Sequence, residues 1–205
     1  MITAREASYG LFGAWRLAHL DPRGMDYFDK TVEGLWRSFW AAALSAPLVI
    51  LILILRYANA KTDLDPLRYV LVEATGYVIM WTAYPLAAWY LLQLLGRSNR
   101  YVGYIVAYNW ANVIQIVASV PVAALIATEA LPTPLLSVAW LAILAALLFY
   151  QYFIARTALE VEVSVAAGLV FADFVLSMLR EAVVETLELP SAAQAALALL
   201  VAHAG

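Results

Sequence analysis

Hydrophobic residues fall in five long runs separated by short polar stretches. The runs cover about residues 38–57, 69–95, 101–128, 135–154 and 161–180. A helix of about 20 apolar residues spans the hydrocarbon layer of a bilayer, so this pattern predicts five transmembrane helices. We therefore expect an all-α, polytopic membrane helical bundle.

The polar stretches predict where these helices begin and end. Asp65-Pro66 is typical of a helix start, and the Gly96–Asn99 stretch predicts a tight turn that makes spans two and three antiparallel neighbours. Pro85 is expected to bend span two near its middle. A separate helix over residues 181–189, stopped by Pro190, is expected after span five.

The chain divides into three parts by polarity. Residues 1–36 form an amphipathic segment, whose apolar patch at 8–20 is too short to span and is expected at the membrane surface. A short helix capped by Thr31 or Asp29 follows within it. Residues 37–189 form the five-span domain, and residues 190–205 form an apolar C-terminal tail that is too short to cross.

Span three carries the most informative pattern, a stripe of polar and aromatic side chains on one face. At about 100° per residue these side chains fall within an arc of about 80°. The stripe consists of Tyr101, Tyr104, Tyr108, Asn112, Gln115 and Ser119. Asn109 lies to one side of it and is expected to serve a different neighbour. Interhelical hydrogen bonding is the favoured interpretation, because tyrosines would fill an open pore; a polar path is the alternative.

A second stripe follows one face of span two and includes Tyr69, Glu73, Tyr77 and Tyr84. The simplest packing turns the two stripes towards each other. Glu73 lies near one end of its span, so we expect it to be solvated or paired with Arg68 or Arg100.

Asp173 is the most unusual single residue, because an Asp at the centre of a membrane helix costs about 2.5–3.5 kcal/mol on insertion scales. It needs a partner, a proton or water. We expect a hydrogen bond to a tyrosine or amide of span three that holds the bundle together. The alternative is a proton or ion site.

Composition excludes several classes of protein. The chain has 205 residues, of which 65% are hydrophobic and 13% charged, so it cannot hide its apolar surface in one core. A net charge of −3 gives no reason to expect a nucleic-acid partner. There is no cysteine, which excludes disulfides and thiolate chemistry. No standard catalytic motif occurs, so we expect no enzyme activity, no cofactor and no metal.

Charge distribution predicts the orientation. Eight of the twelve Lys and Arg residues fall on the side of the N-terminus, which favours a cytoplasmic N-terminus and an external C-terminus. High Ala and Leu content favours a bacterial source, hence the bacterial inner membrane. The expected partners are the lipid bilayer and other membrane proteins or a second copy of the chain.

The order of elements resembles the Yip family, the Rab-GTPase-interacting five-span membrane proteins and their bacterial relatives. The resemblance covers about residues 35–185 and rests on two stretches, LGRSNRYVGYIVAYNWANVIQIVASVP and FYQYFIARTALEVEVSVAAGLVFADFVLSMLR. Gly96, Tyr108 and Pro121 stand where family members have a turn glycine, a tyrosine and a later proline. The resemblance implies a membrane-organising or partner-binding protein without catalytic activity.

Three functional hypotheses follow. The first is a non-enzymatic integral membrane protein that organises or assists a membrane complex. The second is a small transporter or channel that uses Asp173 with Asn112 and Gln115. The third is a lipid-modifying membrane enzyme, for which the chain offers only Asp173, Glu73 and Glu162.

Overall fold

A computed structural model describes residues 2–59, 65–128 and 130–188. These residues form seven α-helices and two short 3-10 turns and contain no β-strand, which confirms the all-α prediction. The helices are α1 (Ala4–Ala18), α2 (Val32–Ser38), α3 (Trp40–Asn59), α4 (Pro66–Leu94), α5 (Tyr101–Ala127), α6 (Thr133–Leu159) and α7 (Val163–Glu188).

Five helical segments are long and apolar enough to cross a membrane, as predicted. Together, α2 and α3 make the first segment, interrupted at Phe39, and α4 to α7 make the others. The separate helix predicted over residues 181–189 is wrong in its start, because α7 continues through Arg180 to Glu188. No helix-breaking residue separates the predicted end of span five at Arg180 from the predicted start of the next helix at Glu181. The side chains of these two residues also form an ion pair. Pro190 and the tail lie outside the described residues.

The predicted helix ends are confirmed by their capping contacts. Thr31 caps α2, its hydroxyl accepting a hydrogen bond from the Gly34 amide at 3.0 Å. Asp65 caps α4, where its carboxylate accepts bonds from two backbone amides. The turn after α4 passes through Gly96 at φ +64°, a left-handed conformation that glycine adopts without strain.

Helix α5 is the centre of the bundle. It packs on α1, α2, α3 and α6, and it contacts α4 near their shared turn. Beyond that turn α4 packs mainly on α7, which in turn packs on α6. The prediction that spans two and three are neighbours therefore holds only close to the turn.

The bundle has two ends with different surroundings. We call the end with the α4–α5 and α6–α7 connections the turn end, and the opposite end the loop end. The segment α1–α2, which we call the N-terminal cap, lies at the turn end because α2 leads directly into α3. Almost all buried residues of α5, α6 and α7 lie towards the turn end.

Candidate functional site

The stripe on α5 begins in the most deeply buried part of the molecule. Every residue from Tyr104 to Val113 is buried, whichever way its side chain points. Such a helix is enclosed on all sides, here by the cap, α3, α4 and α6. Each polar group in this stretch therefore needs a partner within the protein.

Two of the stripe's tyrosines bond to α4. The Tyr101 hydroxyl donates to the Pro85 carbonyl oxygen at 3.1 Å, and the Tyr104 and Tyr84 hydroxyls share a hydrogen bond of 2.5 Å. The Tyr84 ring also lies 4.7 Å from the Tyr108 ring, centroid to centroid. The predicted facing of the two stripes is thus present at the turn end.

The rest of the α4 stripe faces elsewhere, which corrects the simple face-to-face prediction. The Tyr77 hydroxyl donates to the Ala42 carbonyl oxygen of α3 at 2.6 Å. Tyr69 packs its ring against Tyr57 of α3, with centroids 4.9 Å apart. Towards the loop end α4 leaves α5, so these tyrosines bind α3 instead.

Asp173 on α7 is bonded to the stripe. The Tyr108 hydroxyl donates to its Oδ1 at 2.9 Å, the contact predicted between Asp173 and span three. Among the described residues no Lys or Arg forms an ion pair with Asp173, since Arg180, two turns along α7, pairs with Glu181. The carboxyl group is therefore held by a neutral donor.

The amides of the stripe continue the network to α6. Asn112 Oδ1 accepts from Gln115 Nε2 at 3.0 Å and from Gln151 Nε2 at 3.4 Å. Gln151 was missed by the sequence argument, which treated span four as featureless. The sequence feature that could have revealed it is that Gln151 is the one amide side chain within the apolar fourth span. Asn112 Nδ2 and Gln151 Oε1 are buried and have no hydrogen-bond partner among the residues that the structure describes.

Asn109 serves a different neighbour, as predicted. Its Nδ2 donates to the Ser38 hydroxyl at the end of α2 at 2.8 Å, and both residues are fully buried. This bond ties the N-terminal cap to the central helix at the point where α3 begins.

Glu73 does not lie where the sequence argument placed it. It is 6% exposed rather than solvated, and its carboxylate lies 3.8 Å from the Arg56 guanidinium of α3. Arg56 also pairs with Glu181 of α7 at 3.2 Å, whereas Arg100 pairs with Glu160 at 2.5 Å. The packing of α4 on α7 buries Glu73, and Arg100 lies at the turn end, the opposite end of the bundle. Glu73 therefore belongs to a charge cluster at the loop end, separate from the stripe.

The N-terminal cap docks on α5 and α6 by close contact. Gly10 lies against the Trp110 indole, where a Cβ atom at Gly10 would come within 2.3 Å of the ring. The Tyr150 hydroxyl of α6 donates to the Ala14 carbonyl oxygen at 2.7 Å. Since α1 meets both helices through its buried face, the cap is part of the folded bundle.

Ion pairs organise the outer surface of the cap. Arg37 pairs with Asp29 at 2.7 Å and with Glu6 and Glu33 at 3.3 Å. The Thr31 hydroxyl, donating at 2.7 Å, lowers the pKa of the Asp29 carboxyl. Hydrogen bonds from Arg16 likewise lower the pKa of Asp21. Both carboxyl groups are thus stabilised in their charged form.

Two pockets, of about 140 and 260 Å³, lie between the cap and the bundle. Trp110 lines both of them, together with residues of α1, α2 and α3. Neither pocket is lined by Asn112, Gln115 or Asp173. These pockets therefore lie apart from the amides of the stripe and from Asp173.

A scan against protein-family models, a search of curated proteins and a search of solved structures each found no match to this chain. The geometry of the helices is thus the basis on which a function can be assigned.

Proposed function

We propose that this chain is a non-enzymatic integral membrane protein that organises or assists a membrane complex. The main support for the proposal is the way the polar side chains of the α5 stripe are hydrogen-bonded within the protein. Tyr101, Tyr104, Tyr108 and Asn112 bond to other helices of the bundle, whereas Gln115 and Ser119 bond within α5. A stripe in which four of six groups hold helices together supports a scaffold, and it gives little support to a continuous polar path.

The shape of the bundle supports the same proposal. Towards the turn end α5 is buried from Tyr104 to Val113, whereas α5 beyond Val113 and α6 before Tyr150 have no buried residue. These intramembrane surfaces are open to lipid or to a partner's helices. On the cap, Trp36 is 71% exposed beside the first span. A well-packed turn end, combined with exposed surfaces on α5 and α6, suits a protein that binds other membrane proteins.

The proposal also includes the orientation of the protein, its membrane and its class of partner. The excess of Lys and Arg near the N-terminus supports a cytoplasmic cap, and composition supports the bacterial inner membrane. The resemblance to the Yip family supports a partner-binding role. The partner class is a second membrane protein or a second copy of this chain.

Site-specific photo-cross-linking in native membranes tests the proposal. We would place p-benzoylphenylalanine at Trp36 on the cap and at Val117 on the open part of α5. Leu86, 61% exposed on α4 towards the turn end, provides a control outside the open flanks of α5 and α6. We expect a discrete protein adduct from Trp36 or Val117 and only lipid adducts from Leu86. Lipid adducts from all three positions, or rapid solute flux by the purified protein in liposomes, would contradict the proposal.

A small transporter or channel is the second candidate, and one observation favours it. Within the described part of the chain, Asn112 Nδ2 and Gln151 Oε1 are buried without a hydrogen-bond partner, and Asn112 lies one turn along α5 from Tyr108, which donates to Asp173. Polar groups left open in a membrane interior are typical of solute sites. Flux that is lost in Asp173→Asn while the fold is kept would establish this candidate instead.

A further inference from the structure

Asp173 is half-buried, and among the described residues its carboxyl group has no positively charged partner. It lies on a membrane-spanning helix, and its hydrogen bond comes from the uncharged Tyr108 hydroxyl. An ionised carboxylate in an apolar interior is strongly unfavourable unless a positive charge is close to it. No described Lys or Arg forms an ion pair that supplies this charge, and a bound cation or a proton can supply it.

The groups next to Asp173 are rich in oxygen. Tyr108 donates to it, and Asn112 lies one turn beyond Tyr108 on the same face of α5. Asn112 connects in turn to Gln151 on α6. Carboxylate, amide carbonyl and hydroxyl oxygens are the ligands that small hard cations prefer.

The second observation is that one buried oxygen of this cluster is free to accept a hydrogen bond or to bind a cation. Gln151 is 5% exposed and Asn112 is 9% exposed. Even so, Gln151 Oε1 accepts no hydrogen bond from any described residue, while Asn112 Oδ1 accepts two. An open acceptor oxygen buried beside this network is unfavourable until something occupies it.

We propose that Asp173, Tyr108, Asn112 and Gln151 form a binding site for one small monovalent cation, either an alkali-metal ion or a proton. Asp173 neutralises the bound charge, and the Gln151 carbonyl oxygen faces it from α6. Tyr108 and Asn112 on α5 connect the two. The site joins α5, α6 and α7, so its occupation stabilises the packing of these three helices.

The other ionisable groups around Asp173 do not compete for this role. Tyr104 and Tyr108 of α5 and Tyr84 of α4 lie close enough to Asp173 to be affected by its charge. Along α7 the nearest charged residue is Arg180, which is paired with Glu181. On α6 the nearest charged residue to Gln151 is Arg156, which lies one turn beyond and bonds to Tyr152. The facing groups are thus neutral tyrosines.

The inference goes beyond both candidate functions and is tested on the purified protein, without a partner or flux. The experiment measures the melting temperature in nanodiscs. Sodium chloride is compared with choline chloride at equal ionic strength, and each series is repeated over a range of pH. A cation held only by the folded state raises the melting temperature by roughly 5–10 °C at a hundred times its Kd.

The two occupants give different results. If the site takes an alkali-metal ion, sodium raises the melting temperature and choline does not. If it takes a proton, the melting temperature rises as the pH falls, whichever salt is present. In the proton case, infrared spectra show a protonated carboxyl band that is absent in Asp173→Asn. In either case Asp173→Asn loses the response, while Glu162→Gln, which removes an exposed acid near the start of α7, keeps it.

A further variant guards against simple misfolding. Gln151→Met keeps the carboxyl group and the side-chain volume but removes the open oxygen, so we expect sodium binding at least tenfold weaker with the fold intact. A wild-type melting temperature that responds to neither sodium nor pH would overturn the inference. A full response retained in Asp173→Asn would do the same.

Discussion

The turn end and the loop end of the bundle contain the same spans but are held together differently. At the turn end α5 is enclosed from Tyr104 to Val113, and neutral hydrogen bonds link it to the cap, α4, α6 and α7. At the loop end the main links are ionic and bypass α5. There Arg56 of α3 joins Glu73 of α4 and Glu181 of α7.

The difference shows how a small membrane protein can be rigid at one end and open at the other. Without a hydrophobic driving force in lipid, close packing and interhelical hydrogen bonds must hold helices together. The cap adds two further helices to the packing at the turn end. No comparable element covers α5 and α6 at the loop end among the described residues. The open flanks are where we expect partners.

The largest predicted effect comes from truncating an apolar residue at each end of one helix. Ile154 at the turn end of α6 is 0% exposed, whereas Leu141 towards the loop end is 62% exposed. Ile154→Ala leaves a cavity and should cost about 2–5 kcal/mol of unfolding free energy. Leu141→Ala should change it by less than about 0.5 kcal/mol. Reversible unfolding in mixed micelles measures both, and equal costs would remove the distinction between the ends.

The next effect tests the docking of the cap. Gly10→Ala places a methyl group against the rigid Trp110 indole and should cost about 1–3 kcal/mol through overpacking. Gly168→Ala on α7 is the matched control, because a Cβ atom there meets nothing within 4 Å. The same unfolding assay compares them. An unaffected Gly10→Ala variant would show that α1 does not depend on this contact.

A smaller effect is expected from the hydrogen bonds of the stripe. Tyr108→Phe removes the donor to Asp173 and should cost about 0.6–1.7 kcal/mol, the range found for hydrogen bonds within membranes. Ser119→Ala is the control, because the Ser119 hydroxyl bonds only to the Ile116 carbonyl oxygen of its own helix. It should cost close to nothing. A Tyr108→Phe protein as stable as the control would show that this bond does not hold α5 to α7.

The smallest effect is the acid sensitivity of the cap. The pKa of Asp21 is lower in the folded protein than in the unfolded chain, where it is about 3.9. Its contribution to stability is thus present above about pH 3.9 and lost as the pH falls through the folded pKa. The fluorescence anisotropy of a dye on a cysteine at Ser8 should fall in acid as the cap loosens. Asp21→Asn should weaken this response, and an identical response would assign the acid effect to other groups.

The sequence predicted the parts of the fold that the bilayer and local capping chemistry determine. The five spans, the caps at Thr31 and Asp65 and the Gly96 turn follow from apolar length and residue type. Partners between helices were harder to predict. Periodicity shows which residues share a face, but not which helix that face meets. For this reason the Asp173 contact with α5 was predicted, while Gln151 and the Arg56–Glu73 pair were not.

The central claim is that the stripe of α5 is packing and not a continuous aqueous path. The chain has no cysteine, so single cysteines can be introduced at Asn112, Gln115 and Ser119 without altering other positions. Each variant would be treated in nanodiscs with a charged, membrane-impermeant thiol reagent. Ser98 in the turn after α4 provides a reactive control. The account predicts labelling at Ser98 and none at the three stripe positions. Labelling along the stripe, with none at the off-stripe position Val113, would show a water-filled path and contradict it.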